Sequence, residues 1–120
     1  MIKEHKLTPY PRRIWIARNE NFDEIKGQFE FVYKSDSEIP NDEIQNEWNA
    51  AVFEVSKNKY RGYLVFITDD CDDGHLVHEA NHVALHVYED CGMDLKPEMD
   101  QEPFCYLSEH IWRLLHSKEE

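Results

Sequence analysis

Residues 63–90 read YLVFITDDCDDGHLVHEANHVALHVYED, and a change of rhythm inside them decides the fold. Tyr63 to Ile67 is almost continuously apolar, as expected of a central strand covered on both faces. Asp69 to Asp73 is an acidic turn, and an aspartate in it can cap a following helix. From about Asp72 to Asp90 the apolar residues recur at helical spacing. Leu76, Ala80, Val83, Ala84, Val87 and Cys91 share one side, which is the core stripe. Gly92 is a natural helix stop. His75, His78, His82 and His86 share the opposite side, with Glu79 and Glu89 flanking them.

Upstream, Ala51 to Ser56 and Gly62 to Thr68 are rich in β-branched and aromatic residues. The polar segment Lys57 to Arg61 between them predicts a hairpin. Arg13 to Ala17 is a further short strand. Asn21 to Phe29 reads as a short helix capped by Asn21 and weakened near Gly27, and Ser35 to Asp42 reads as a loop. Downstream, a loop continues through Lys96 and Pro97. A second helix runs from about Gln101 to Ser117, with Pro103 tolerated in its first turn. The expected fold is α+β: a small, mainly antiparallel sheet of three or slightly more strands, packed against two main helices.

At 120 residues the chain is expected to form one domain, 1–120, with one modest core. A hydrophobic content of 41% with 12% aromatics fits a folded protein. The net charge of −12 excludes a nucleic-acid backbone as partner and disfavours anionic membranes. The N-terminal residues lack the apolar run of a signal peptide, and no apolar stretch is long enough to cross a bilayer. Cys71, Cys91 and Cys105 are an odd set without Cys-x-x-Cys spacing. They read as buried free thiols in a reducing cytoplasm, in preference to metal ligands or a disulfide framework. Trp15, Trp48 and Trp112 read as core aromatics.

Within the histidine row, His78-Glu79-Ala80-Asn81-His82 is an H-E-x-x-H string. Residues four apart lie one above the other on a helix, so two imidazoles can hold one zinc ion with a carboxylate beside them to move a proton. A chain of this composition meets the pattern by chance roughly once in twenty, so its surroundings matter. Glu102, in the first turn of the second helix, follows His82 after nineteen intervening residues. Two histidines and a carboxylate leave an open fourth position, the composition of a catalytic zinc site. Glu102, Tyr106, Glu109, Arg113 and His116 share one face of that helix, opposite Phe104, Leu107, Ile111, Leu114 and Leu115. The polar faces of the two helices are therefore expected to look into a common cleft. His110 is a competing third ligand, while His75 and His86 read as a solvated polar face.

His78, Glu79, His82 and Glu102 together resemble the zincin metallopeptidases, and among them the gluzincins. The run Asp100-Gln101-Glu102-Pro103-Phe104-Cys105-Tyr106-Leu107 also looks like the tail of small zincin-like proteins of phages, prophages and bacterial mobile elements. The resemblance covers roughly Tyr63 to His116; the first half carries no such motif. It implies Zn²⁺ held by His78, His82 and Glu102, with Glu79 as general base on a metal-activated water. It implies that Tyr106 hydrogen-bonds the oxyanion, the alternative being a packed aromatic. Glu109 or Asp100 would hold the outer N–H of a ligating histidine. The implied activity is that of a zinc-dependent hydrolase, a peptidase acting on a peptide or protein.

The sequence departs from large peptidases in having no room for the second domain that completes a substrate cleft. The alternative is a non-catalytic phage or mobile-element interaction protein whose zinc site is structural or vestigial. A third reading is a metal-free fold in which the histidines decorate a surface. The residues leave oligomeric state open.

Overall fold

The apolar run at the centre of the chain is a strand with neighbours on both sides. The computed structural model describes residues 2–32, 50–96 and 100–117. The chain divides into two compact units, Met1–Cys71 and Asp72–Glu120. The first holds β1 (Ile2–Lys6), β2 (Arg13–Arg18), α1 (Phe22–Ile25), a 3₁₀ turn (Lys26–Gln28), β3 (Glu30–Phe31), β4 (Ala50–Lys57) and β5 (Tyr60–Ile67). The strands form one sheet in the order β1-β2-β5-β4-β3. β2 and β5 run parallel, and the other three pairings are antiparallel.

The sheet has five strands, more than the minimum of three expected, and is mixed. The two strands the sequence did not disclose lie at its edges, where pairing on one side suffices and apolar alternation is weak. β1 is Ile-Lys-Glu-His-Lys, and β3 has only two residues. The predicted hairpin is present with a tighter turn. Asn58 and Lys59 form it alone, with φ of 54° and 72°. Two consecutive positive φ values match the turn whose twist suits a two-residue hairpin. Asn21 caps α1 as expected, its side chain accepting from the Glu24 N–H, but the helix gives way to the 3₁₀ turn after one turn.

Trp15, Ala17, Phe22, Ile25, Phe29, Val55, Leu64 and Phe66 form a buried cluster, with Ile2, Phe31 and Phe53 packed against it. Its rings meet edge-on or tilted, as Trp15 and Phe29 do at 5.5 Å. Ile14, Ile16, Tyr63, Val65 and Ile67 alternate with the sheet members of the cluster, point to the other face and are also buried. This two-sided burial explains the unbroken apolar run. Gly62 is what lets β5 lie against β2: a Cβ there would stand 1.8 Å from the Arg13 carbonyl oxygen.

The second unit is a helical hairpin of α2 (Asp73–Asp90) and α3 (Glu102–His116). Leu76, Ala80, Val83, Ala84 and Val87 of α2 are buried, as are Leu107, Ile111 and Leu115 of α3. The helices run antiparallel. Tyr88 meets Phe104 ring to ring at 5.2 Å, Ser108 Oγ donates to Asn81 Oδ1 at 2.6 Å, and His116 pairs with Asp73 at 3.5 Å. Gly92 takes the positive φ of 69° that a helix stop uses. No helix among the described residues is long and apolar enough to cross a membrane. Of the expected features, the loop Ser35 to Asp42 and Trp48 lie outside the described residues. Trp15 is core, while Trp112 is only half-buried and stacks on His116.

Candidate metal centre

α2 is anchored at the end that precedes the histidine pair. Asp72 accepts the His75 backbone N–H at 2.9 Å, and His75 Nδ1 accepts the Asp72 backbone N–H at 3.2 Å. This reciprocal cap satisfies two donors that a helix start leaves open. His75 thus has a specific task that the solvated-face reading missed. The hint was available, since it stands three residues after the capping aspartate, where a glutamate or glutamine usually closes such a box. The amide bonds and the nearby imidazole hold the Asp72 carboxyl below the usual range.

One turn further on, His78, Glu79 and His82 form a group of metal-ligating side chains. One donor atom of each lies within 4.8 Å of the others. His78 Nε2 and His82 Nε2 are 3.0 Å apart, and His78 Nε2 lies 3.9 Å from Glu79 Oε1. Two nitrogens on a tetrahedral zinc at 2.0–2.1 Å would stand about 3.3 Å apart, so the pair is close to the spacing such an ion requires. Both histidines are exposed.

Glu79 contrasts with them. Its side chain is only 9% exposed, and its Oε2 is buried without a hydrogen-bond partner. It lies beside the apolar stripe, one turn before Val83. Burial pushes its carboxyl above the usual range, and the imidazoles of His82, His78 and His75 oppose that push in part. A buried carboxylate oxygen without a partner is costly, and a cation or a proton relieves that cost. The donor set and the orphaned oxygen both fit a divalent metal of the zinc type.

The structure does not bring Glu102 or Tyr106 into this group. The flank of α2 that meets α3 carries Asp73, Asn81 and Tyr88, about 110° around the helix from His78 and His82. α3 meets it through Phe104, Ser108 and His116. Along the axis, Glu102 lies about 9 Å before Ser108, nearer the level of His86 than of His82. Glu102 is exposed at the first position of α3, and its backbone N–H donates to Asp100 Oδ1 at 3.0 Å. Tyr106 is 66% exposed and is not a packed aromatic.

Glu109 pairs with Arg113 on its own helix at 2.8 Å instead of supporting a ligating histidine. His110 is exposed and outside the group. The three cysteines are free, but Cys105 is exposed and Cys71 and Cys91 are half-buried, so none is the fully buried thiol expected. Compared with family models, curated proteins and solved structures, the chain finds no match.

Proposed function

We propose that this chain is a zinc-dependent hydrolase in which His78 and His82 hold the metal and Glu79 is the general base. The observation that carries the reading is the buried, unpartnered carboxylate of Glu79 beside two imidazole nitrogens 3.0 Å apart. A site that served only to staple the fold has no need of a base there. Zinc bound at this pair would polarise water and lower its pKa toward about 7. Glu79, with its affinity for a proton raised by burial, is suited to take a proton from that water and release it to a leaving amine. The strong negative charge speaks against polyanionic substrates and leaves a peptide or protein as the substrate class. The spacing of His78, Glu79, His82 and Glu102 supports kinship with small zincin-like proteins, and three free thiols fit a reducing cytoplasm.

The test is Glu79→Gln, assayed on a peptide library with zinc content measured in parallel. The variant should keep its zinc and lose hydrolysis by about a hundredfold or more. Turnover equal to the parent's would remove Glu79 from the role.

A second reading has its own support. Glu102 is outside the 4.8 Å group, and the pair stands on an open surface with the His78 side chain 69% exposed. Both features suit a non-catalytic interaction protein with a structural zinc. In that case chelation lowers thermal stability, while the zinc-loaded protein cleaves no member of the library.

A further inference from the structure

With Glu79 kept as the base, a zinc ion held by His78 and His82 takes two ligands from the group among the described residues, whereas structural zinc takes four. α3 meets α2 through Asn81 and Tyr88, and its Glu102 is outside the group. The exposed surface around the pair is not uniformly polar. Leu85 follows His78 by seven residues, two turns along the same line of the helix, and is 48% exposed. Among the described residues no further ligand joins this group, and water or another molecule can take the open positions.

We propose that two copies of this chain share one zinc, each giving His78 and His82, so that the metal is ringed by four imidazoles at a symmetric helix–helix contact. The proposal rests on the metal reading above, not on hydrolysis. The chemistry favours a second copy over an unrelated partner. A two-fold axis through the metal doubles a half-set of ligands without any new residue, because an isologous contact places the same patch on both sides. Four nitrogens at the vertices of a tetrahedron need two pairs with like spacing, and the pair already stands at 3.0 Å.

Charge explains why the metal is needed. Each chain carries −12, so two copies repel one another until a divalent cation lies between them. Leu85 of each copy, on the same line as His78, is then covered by the other. The shared site has no open coordination position. The dimer is the form that does not hydrolyse, and the separate zinc-loaded chain is the form with positions left for water.

The test is the mass of the full chain by sedimentation equilibrium, with calorimetric titration of zinc into chelator-treated protein. The expected result is a 14.4 kDa monomer without metal and twice that mass with zinc, saturating at about half an equivalent per chain. His82→Ala should stay monomeric and lose zinc uptake. Leu85→Glu, an exposed change that leaves the fold intact, should weaken zinc-driven dimerisation at least about tenfold while retaining zinc binding. Glu102→Gln should take up half an equivalent and dimerise like the parent.

Uptake of one equivalent by a monomer overturns the sharing and leaves the metal reading standing. The same holds if Glu102→Gln loses its zinc, because the third ligand is then within the chain. No zinc uptake by the parent overturns both.

Discussion

Glu4 in the sheet unit and Glu79 in the helical hairpin are carboxylates beside a core, and they are treated in opposite ways. In the sheet unit, a carboxylate beside the core is tied down on both sides. Glu4 accepts hydrogen bonds from Trp15 Nε1 and from Arg13, and the Arg13 guanidinium lies over the Tyr60 ring at 3.5 Å. In the helical hairpin a carboxylate is buried with one oxygen unpartnered, and two imidazoles stand exposed beside it. Natural chains resolve such conflicts unless something is gained by keeping them, and the conflict at Glu79 supports the proposed site there. On the proposed reading the hairpin, and not the sheet unit, holds the ligand. Substitutions in the sheet unit should cost stability, and removal of the conflict in the hairpin should raise it.

The largest effect is expected at Gly62. A Cβ there meets the Arg13 backbone, which cannot move without shifting β2 against β5. Gly62→Ala should destabilise the protein by about 3 kcal/mol or prevent folding, read from denaturant midpoints. A loss under about 1 kcal/mol would mean that the parallel pairing is looser than its register suggests.

Glu79 gives the opposite sign. In metal-free protein, Glu79→Met replaces a buried, unpartnered carboxyl with an apolar side chain of similar length. It should gain about 1–3 kcal/mol while any function is lost. The pH dependence follows from the raised carboxyl pKa. The unfolded chain releases this proton first, so between the ordinary carboxylate range and the raised value the folded state binds more protons. The parent's stability should therefore fall as pH rises through that window, and the Met variant should lack that fall. Identical pH profiles for the two proteins would remove the burial penalty from the account.

The contrast also explains what the sequence discloses. The central strands, the hairpin, both long helices and the histidine group are legible because each is written in a local period. β1 is not, because an edge strand with Lys3, Glu4, His5 and Lys6 needs no apolar alternation to pair with β2. The place of Glu102 is not legible for a different reason. Periodicity says which residues of a helix share a face, but not which face meets the neighbouring helix. That choice is made by Asn81 with Ser108 and by Tyr88 with Phe104, pairs 27 and 16 residues apart that no local pattern announces.

The smallest effect is expected at the cap that precedes the site. Asp72→Ala leaves the His75 backbone N–H without its acceptor and should lower the melting temperature slightly. In the parent, the His75 N–H and then the His75 imidazole hold the Asp72 carboxyl below its ordinary range. The cap's contribution is therefore complete above the ordinary aspartate range and is lost as pH falls through the lowered value, the reverse of Glu79. The other half of the box depends on His75 keeping an unprotonated Nδ1 to accept the Asp72 N–H. His75→Gln retains a side-chain acceptor at the same position and should preserve most of the cap, whereas His75→Ala should lose this half. Thermal melts of the three variants at neutral pH separate these outcomes. If His75→Ala loses zinc as well as stability, the first turn of α2 positions the metal pair and does more than begin the helix.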